Sequence, residues 1–196
     1  MTEQELVQAA QQGSQDAFAR LVEQNQGKIY HLCYRMTGNP EDAADLTQDA
    51  FLNAWRGLPK FSFQSTFSTW LYRLASNACI DFLRREKRRS SLSMTLDEGD
   101  GEEPREAEIP DERYAPEREL ERKETLQALE AALASLSIEH RQVLLLRETQ
   151  GLSYQEIAQC LGLEEGTVKS RIARARLALR DFLVKSGNFS FPPPSK

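Results

Sequence analysis

The sequence predicts an all-α protein, two small helical domains joined by an acidic flexible linker. Three observations carry that expectation. Apolar residues recur at spacings of three and four over long stretches, the alternation typical of strands is absent, and charge divides the 196-residue chain into blocks. Residues 1–60 hold five basic and eight acidic side chains, residues 61–90 six and two, and residues 91–124 five and thirteen. The last block is poor in apolar residues and buries too little surface to offset chain entropy. It reads as a disordered linker. The expected divisions are a first domain over 1–90, a linker over 91–124, a second domain over 125–186 and a disordered tail over 187–196. A linker of this kind leaves the two domains without a fixed relative position.

Each element has a local reason. Residues 3–11 make a short helix, and a longer one runs from about Asp16 to Met36, stopping near Gly38. The third is well signalled: Asn39 caps it, Pro40 fits the first turn, Glu41 and Asp42 favour its positive end, and Gly57 ends it. A fourth starts near Thr66 and runs to Arg89. In the second half, helices fall at about 116–134, 138–149, 153–161 and 164–184.

Composition excludes several classes. No apolar run approaches the roughly 20 residues of a membrane span, and "MTEQELVQAA" has no signal-peptide pattern. A cytoplasmic protein with no membrane insertion of its own is expected. Cys33, Cys79 and Cys160 are scattered, which suits reduced thiols; with no C-x-x-C pair and only His31 and His140, no metal or other cofactor is expected. There is no G-x-x-x-x-G-K-[ST] loop, and neither histidine sits in a nucleophile constellation, so no enzyme is expected.

Thr167–Arg180 holds one lysine and four arginines and no acid, in a chain of net charge −5. Val168, Ile172, Ala175, Leu179 and Leu183 form its apolar stripe. Lys169, Arg176 and Arg180 line one rim, and Thr167, Arg171 and Arg174 the other. With no acid between Lys169 and Arg180, these charges read as unpaired. Upstream, "LSYQEIAQCLGLEEGTVKSRI" reads as helix, tight turn, helix: Ser153 and Glu156 form a capping box and Gly162 supplies the turn. That is a helix-turn-helix, whose second helix enters the DNA major groove. Its early turns expose Thr167, Lys169, Ser170, Arg171 and Arg174 to phosphates and base edges.

A second surface lies in Phe61–Arg89. Five of the sixteen aromatics fall between Phe61 and Tyr72. Phe67, Leu71, Leu74, Ala78 and Phe82 read as the buried stripe, with Trp70, Arg73, Asn77, Arg84 and Arg88 on a neighbouring face. Aromatics beside arginines and an amide suit the stacking of unpaired bases. The third helix faces a core with Ala43, Leu46, Thr47, Ala50 and Ala54, widened by Phe51 and Trp55. Its far side carries Glu41, Asp45, Asp49 and Arg56 around an exposed Leu52, a protein-docking patch with a polar rim.

"DAADLTQDAFLNAWRGLPKF", "STFSTWLYRLASNACIDFLRR" and "EHRQVLLLRETQGLSYQEIAQCLGLEEGTVKSRIARARLALR" resemble successive blocks of the extracytoplasmic-function (ECF) sigma factors of bacterial RNA polymerase. The resemblance implies a sigma-2 and a sigma-4 domain. It implies that the third helix binds core RNA polymerase through Asp45, Gln48, Asp49, Leu52 and Arg56. It further implies that Lys60, Phe63, Ser65, Thr66, Phe67, Trp70, Arg73, Asn77, Arg84 and Arg88 open and read the minus-ten element of promoter DNA. The minus-thirty-five duplex falls to the basic helix, with Ser153, Tyr154, Glu165 and Arg176 joining the residues named above. The resemblance leaves room for an anti-sigma factor as a controlling partner. "LSIEHRQV" departs from the pattern in lacking the proline often found after its leucine, and the tail "SGNFSFPPPSK" has no counterpart.

Some 30 linker residues reach about 100 Å extended and average about 30 Å as a free coil. The resemblance implies promoter elements roughly 17 base pairs apart, which is about 58 Å along straight DNA at about 3.4 Å per step. The linker spans that gap only when pulled out. The alternative reading is a DNA-binding regulator acting without core polymerase, which differs in having no use for the third helix or the aromatic loop.

Overall fold

The computed structural model describes the backbone of residues 1–93 and 116–186 and the side chains of 1–90 and 123–186. Helices α1 (Glu3–Gln11), α2 (Gln15–Thr37), α3 (Pro40–Gly57) and α4 (Phe67–Ser93) form the first half, with a single 3-10 turn at Leu58–Lys60. Helices α5 (Pro116–Ser135), α6 (Ile138–Glu148), α7 (Tyr154–Leu161) and α8 (Glu165–Lys185) form the second. No strand occurs among the described residues. Helix α4 continues past Arg89 to Ser93 and α5 begins at Pro116, so the stretch assigned to a linker is helical at both ends. The remainder of that stretch, 94–115, and the tail, 187–196, lie outside the described residues.

Caps set the boundaries. The Asn39 Oδ1 accepts from the backbone amides of Glu41 and Asp42 at 2.8 and 3.1 Å. Ser14 and Ser137 cap α2 and α6 in the same way, each worth about 0.5–2 kcal/mol. Gly38 ends α2 at φ 76°, a left-handed conformation that costs glycine nothing.

In the first half α2, α3 and α4 pack around Leu21, Ile29, Leu32, Met36, Ala50 and Leu71. In the second, α6, α7 and α8 pack around Leu145, Leu146, Ile157, Val168 and Ile172. Fully burying one such side chain stabilises by about 1.5–3 kcal/mol. The two halves do not stand apart, as the linker reading implied; their apolar residues form one continuous cluster. Helix α4 touches α6 and α7, and α2 touches α5 and α6. Arg141 of α6 donates to the Met36 carbonyl at the end of α2 and to the Ala134 carbonyl. Because α4 is covered from both sides, its deepest residues are Phe67, Leu71, Ala75 and Cys79, while Leu74, Ala78 and Phe82 are only partly buried. The expected stripe is therefore displaced around the helix.

Candidate nucleic-acid interface

On α3 the stripe Ala43, Leu46, Ala50 and Ala54 is buried, which turns Asp45, Gln48, Asp49, Leu52 and Arg56 outward together. Leu52 is 44% exposed. The Asp42 carboxyl is pushed up from its ordinary value by burial first, then by the nearby carboxylates of Glu86, Asp45 and Glu41. Trp55 is not part of the core, contrary to the sequence reading; it lies at the surface with its ring 4.8 Å from Phe18. Together they border an apolar groove of 780 Å³ between α2 and α3, lined also by Val22, Tyr30, Phe51 and Leu52. The α2 side was missed. Its signal was a second apolar row, Phe18, Val22 and Tyr30, at multiples of four residues beside the buried one.

The aromatic loop is held from α1, again by residues the sequence did not single out. The Gln11 side-chain amide donates to the carbonyls of Leu58 and Phe61 at 2.9 and 2.8 Å. Glu3 accepts from the Phe67 amide at 3.1 Å and from the Ser68 hydroxyl at 3.0 Å, neutralising donors at the start of α4. Thr66 caps the same turn, its hydroxyl accepting from the Thr69 amide at 3.1 Å. Within this frame Phe61, Phe63, Phe67 and Trp70 form one ring cluster, with centroids of touching pairs 5.0 to 6.3 Å apart. Trp70 packs over Gly57, where a Cβ would stand 3.1 Å from the indole.

That packing sorts the predicted residues. Phe67 is 1% exposed and is structural, so it has no free face for a base. Trp70 is partly buried. Phe63 carries the exposed ring, at 39%, on a left-handed backbone with φ 57°. Lys60, Ser65, Trp70 and Arg73 line a polar cavity of 450 Å³, closed on its other side by Gln159 and Cys160 of α7. Asn77, Arg84 and Arg88 continue along the exposed side of α4. Arg84 donates to Glu139 of α6 at 3.1 Å.

The helix-turn-helix is built as its residues dictate. Ser153 and Glu156 exchange the two capping-box bonds, with the Ser153 amide donating to Glu156 at 2.8 Å. Those bonds from Ser153 hold the Glu156 carboxyl below its usual range. Gly162 turns the chain at φ 64°, and Ile157, Ala158 and Val168 fill the angle between α7 and α8. The basic rims, however, are not unpaired. Lys169 meets Glu165 at 2.7 Å one turn back, and Arg176 pairs with Glu148 at the end of α6. Tyr154 is half-buried, with Arg147 above its ring at 4.9 Å and Lys169 at 5.7 Å. Thr167 accepts through its carbonyl from the Ser170 hydroxyl at 2.9 Å, and Arg171 is half-buried near Glu139. Arg174 is exposed and has no acid partner among the described residues.

Comparison with known proteins decides the family. Residues 21–89 match Sigma-70 region 2, and residues 126–179 match Sigma-70, region 4. Over 174 residues the chain is 36% identical to the ECF RNA polymerase sigma factor SigW of Bacillus subtilis strain 168, covering 89% of this chain and 92% of SigW. The chain belongs to the ECF sigma factors. It is also 37% identical over 179 residues to the ECF RNA polymerase sigma-E factor of Escherichia coli K12, covering 91% of this chain and 93% of that one. Among solved structures, CnrH in complex with the cytosolic domain of CnrY matches with a TM-score of 0.66 at 27% identity, over 93% of this chain and 97% of CnrH. The sigma factor RpoE from Bartonella quintana, solved with the anti-sigma factor NepR, matches at 0.64 and 25% identity, over 85% and 96%. As an ECF sigma factor the chain binds core RNA polymerase and directs promoter-specific initiation of transcription. No helix among the described residues is long and apolar enough to cross a membrane.

Proposed function

We propose that this sigma factor divides its work among three surfaces and catalyses nothing itself. Residues 1–90 act as the sigma-2 domain and 125–186 as the sigma-4 domain, in the cytoplasm. The α3 face of Asp45, Gln48, Asp49, Leu52 and Arg56 takes core polymerase, with the neighbouring groove accepting an apolar element of the partner. Phe63, Trp70 and the cavity at Lys60, Ser65 and Arg73 take the unpaired minus-ten strand, and Asn77, Arg84 and Arg88 hold its phosphates. Helix α8 reads the minus-thirty-five duplex, led by Arg174. As RpoE of Bartonella quintana is solved with an anti-sigma factor, a protein of that kind is the controlling partner we assign here.

The observation that carries the division is the exposed Leu52, ringed by carboxylates and bordering an apolar groove on a rigidly capped helix. Leu52→Asp puts a charge at its centre without touching the buried stripe. A central apolar anchor is worth about 2 kcal/mol, roughly thirtyfold in affinity. The variant should lose core polymerase in a pull-down, and all transcription with it, while its circular dichroism stays unchanged. Arg174→Ala should keep core binding and lose promoter use, by about 1–3 kcal/mol for a base contact. Equal loss of core binding in both variants would overturn the assignment.

A further inference from the structure

Helix α2 carries a glycine that its own packing does not explain. Gly27 stands near the middle of α2, where glycine costs about 1 kcal/mol relative to alanine. A Cβ built there would meet nothing within 4 Å, so no neighbour in the fold demands its absence. What Gly27 does border is the 780 Å³ groove between α2 and α3, whose walls carry the rings of Phe18, Tyr30, Phe51 and Trp55. The missing side chain deepens the groove and lets an occupant approach the helix backbone. The side-chain amides of Gln26 and Gln48, also on the groove, have no hydrogen-bond partner among the described residues. A fitting occupant is apolar, presents carbonyls to those amides and brings no N–H that would be buried unpaired.

We infer that this groove is a docking site for the chain's own C-terminal segment, Phe189–Pro194, which occupies it until core polymerase takes the α3 face beside it. The segment reads "FSFPPP". Its three prolines have no N–H, expose their carbonyls and favour the extended polyproline conformation, which aromatic-lined grooves bind at low entropic cost. No acidic side chain follows Asp181, so Asp45 and Asp49 on α3 do not repel it. The place where α8 ends puts the groove within reach. Leu183, one turn before the end of α8 at Lys185, packs on Ala128 and Ala132 of α5. Glu130 of α5 accepts from the Tyr34 hydroxyl at 3.3 Å, and Tyr34 stacks at 6.4 Å on Tyr30, which lines the groove. Two helix-packing steps of about 8–10 Å each thus separate the start of the tail from α2. The eight residues Gly187–Pro194 span up to about 26–29 Å extended. Phe191 and the prolines can therefore enter at Tyr30 and lie against Gly27.

Docking of the tail stands on the groove and the reach; its exchange with polymerase rests on the assignment of the α3 face, and the test separates the two. The receptor is the full-length protein carrying Phe191→Ser, whose own tail no longer holds the groove. The probe is a fluorescein-labelled peptide of residues 186–196. A short tether gives an effective concentration near 1 mM, so a peptide that binds the variant at about 0.1 mM should bind the wild type roughly tenfold more weakly. Gly27→Leu or Ala44→Leu, each added to Phe191→Ser, fills the groove from one wall. Either should abolish peptide binding while circular dichroism stays unchanged. A peptide that does not bind Phe191→Ser would overturn the docking, and equal affinity for wild type and variant would overturn occupancy by the chain's own tail. Binding that survives both filled grooves would place the tail elsewhere. A wild type that dimerises in sedimentation, and loses the dimer with Phe191→Ser, would give the tail to a second copy and sink the intramolecular contact. Core polymerase should release the peptide from Phe191→Ser. A peptide that stays bound while polymerase binds would overturn the exchange and the polymerase reading of the groove, with the docking intact.

Discussion

Phe63 holds an aromatic ring in solvent on a left-handed backbone, two local costs at a single residue. A bulky residue at φ 57° carries a penalty of about 1–3 kcal/mol that the surroundings must sustain. Here they do so through Gln11, which pins the loop at Leu58 and Phe61, and through the Phe61 ring 5.1 Å away. A ring held out of its preferred backbone region and left exposed serves stability poorly but suits stacking on an unpaired base. Phe63→Gly relieves the backbone and removes the ring. Stability in chemical denaturation should therefore change by less than about 1 kcal/mol. Strand binding should weaken by about 1–3 kcal/mol. A large loss of stability with unchanged strand binding would make Phe63 a structural residue after all.

Among the elements, the helices and their caps were legible because their signals are local. Asn39 with Pro40, Ser153 with Glu156, and Gly162 each act within one turn of themselves. The charge state of α8 was less legible. Scanning from Lys169 to Arg180 finds no acid, yet Glu165 sits one turn before Lys169, and that pair was readable at a spacing of four. Glu148 was not readable: it reaches Arg176 only once α6 and α8 pack together. The Phe61–Tyr72 region was half legible. Its aromatic enrichment shows in the sequence, but which ring is core and which is free depends on Gly57 receiving Trp70 and on Glu3 fixing the start of α4. The Glu148 pairing carries a consequence for the element as a whole. In the free protein this carboxylate occupies a guanidinium that the proposed duplex-reading role would set against phosphate. Glu148→Gln should free Arg176, raise affinity for duplex DNA of any sequence, and steepen its salt dependence by about one charge. Salt titrations showing unchanged slope and affinity would mean that Arg176 does not reach the backbone of the duplex.

At the scale of the molecule, the packing of the halves was beyond sequence reasoning. Its partners are far apart in the chain, as Met36 is from Arg141 and Thr69 from Cys160, and no periodicity links them. The three cysteines offer a direct reading of that packing. All are free and buried, but for different reasons. Cys33 and Cys79 lie inside the first half and interact with each other, whereas Cys160 is covered where α7 meets α4. Burial pushes the Cys160 thiol up to about 12, opposed by nearby Arg73, so it is almost wholly protonated near neutral pH and unreactive as a nucleophile. If α7 lifts from α4, that burial is lost, the thiol returns toward its usual value near 8.5, and the thiolate fraction rises steeply. Mass spectrometry of iodoacetamide-treated protein should show one slow site in the wild type that becomes faster in Glu139→Arg, which breaks the pair between Arg84 of α4 and Glu139 of α6. Peptide mapping should place that site at Cys160, with Cys33 and Cys79 protected throughout. Modification of all three at one common rate would mean that Cys160 is exposed only by unfolding of the whole chain, and the two halves would then have to be regarded as a single inseparable body.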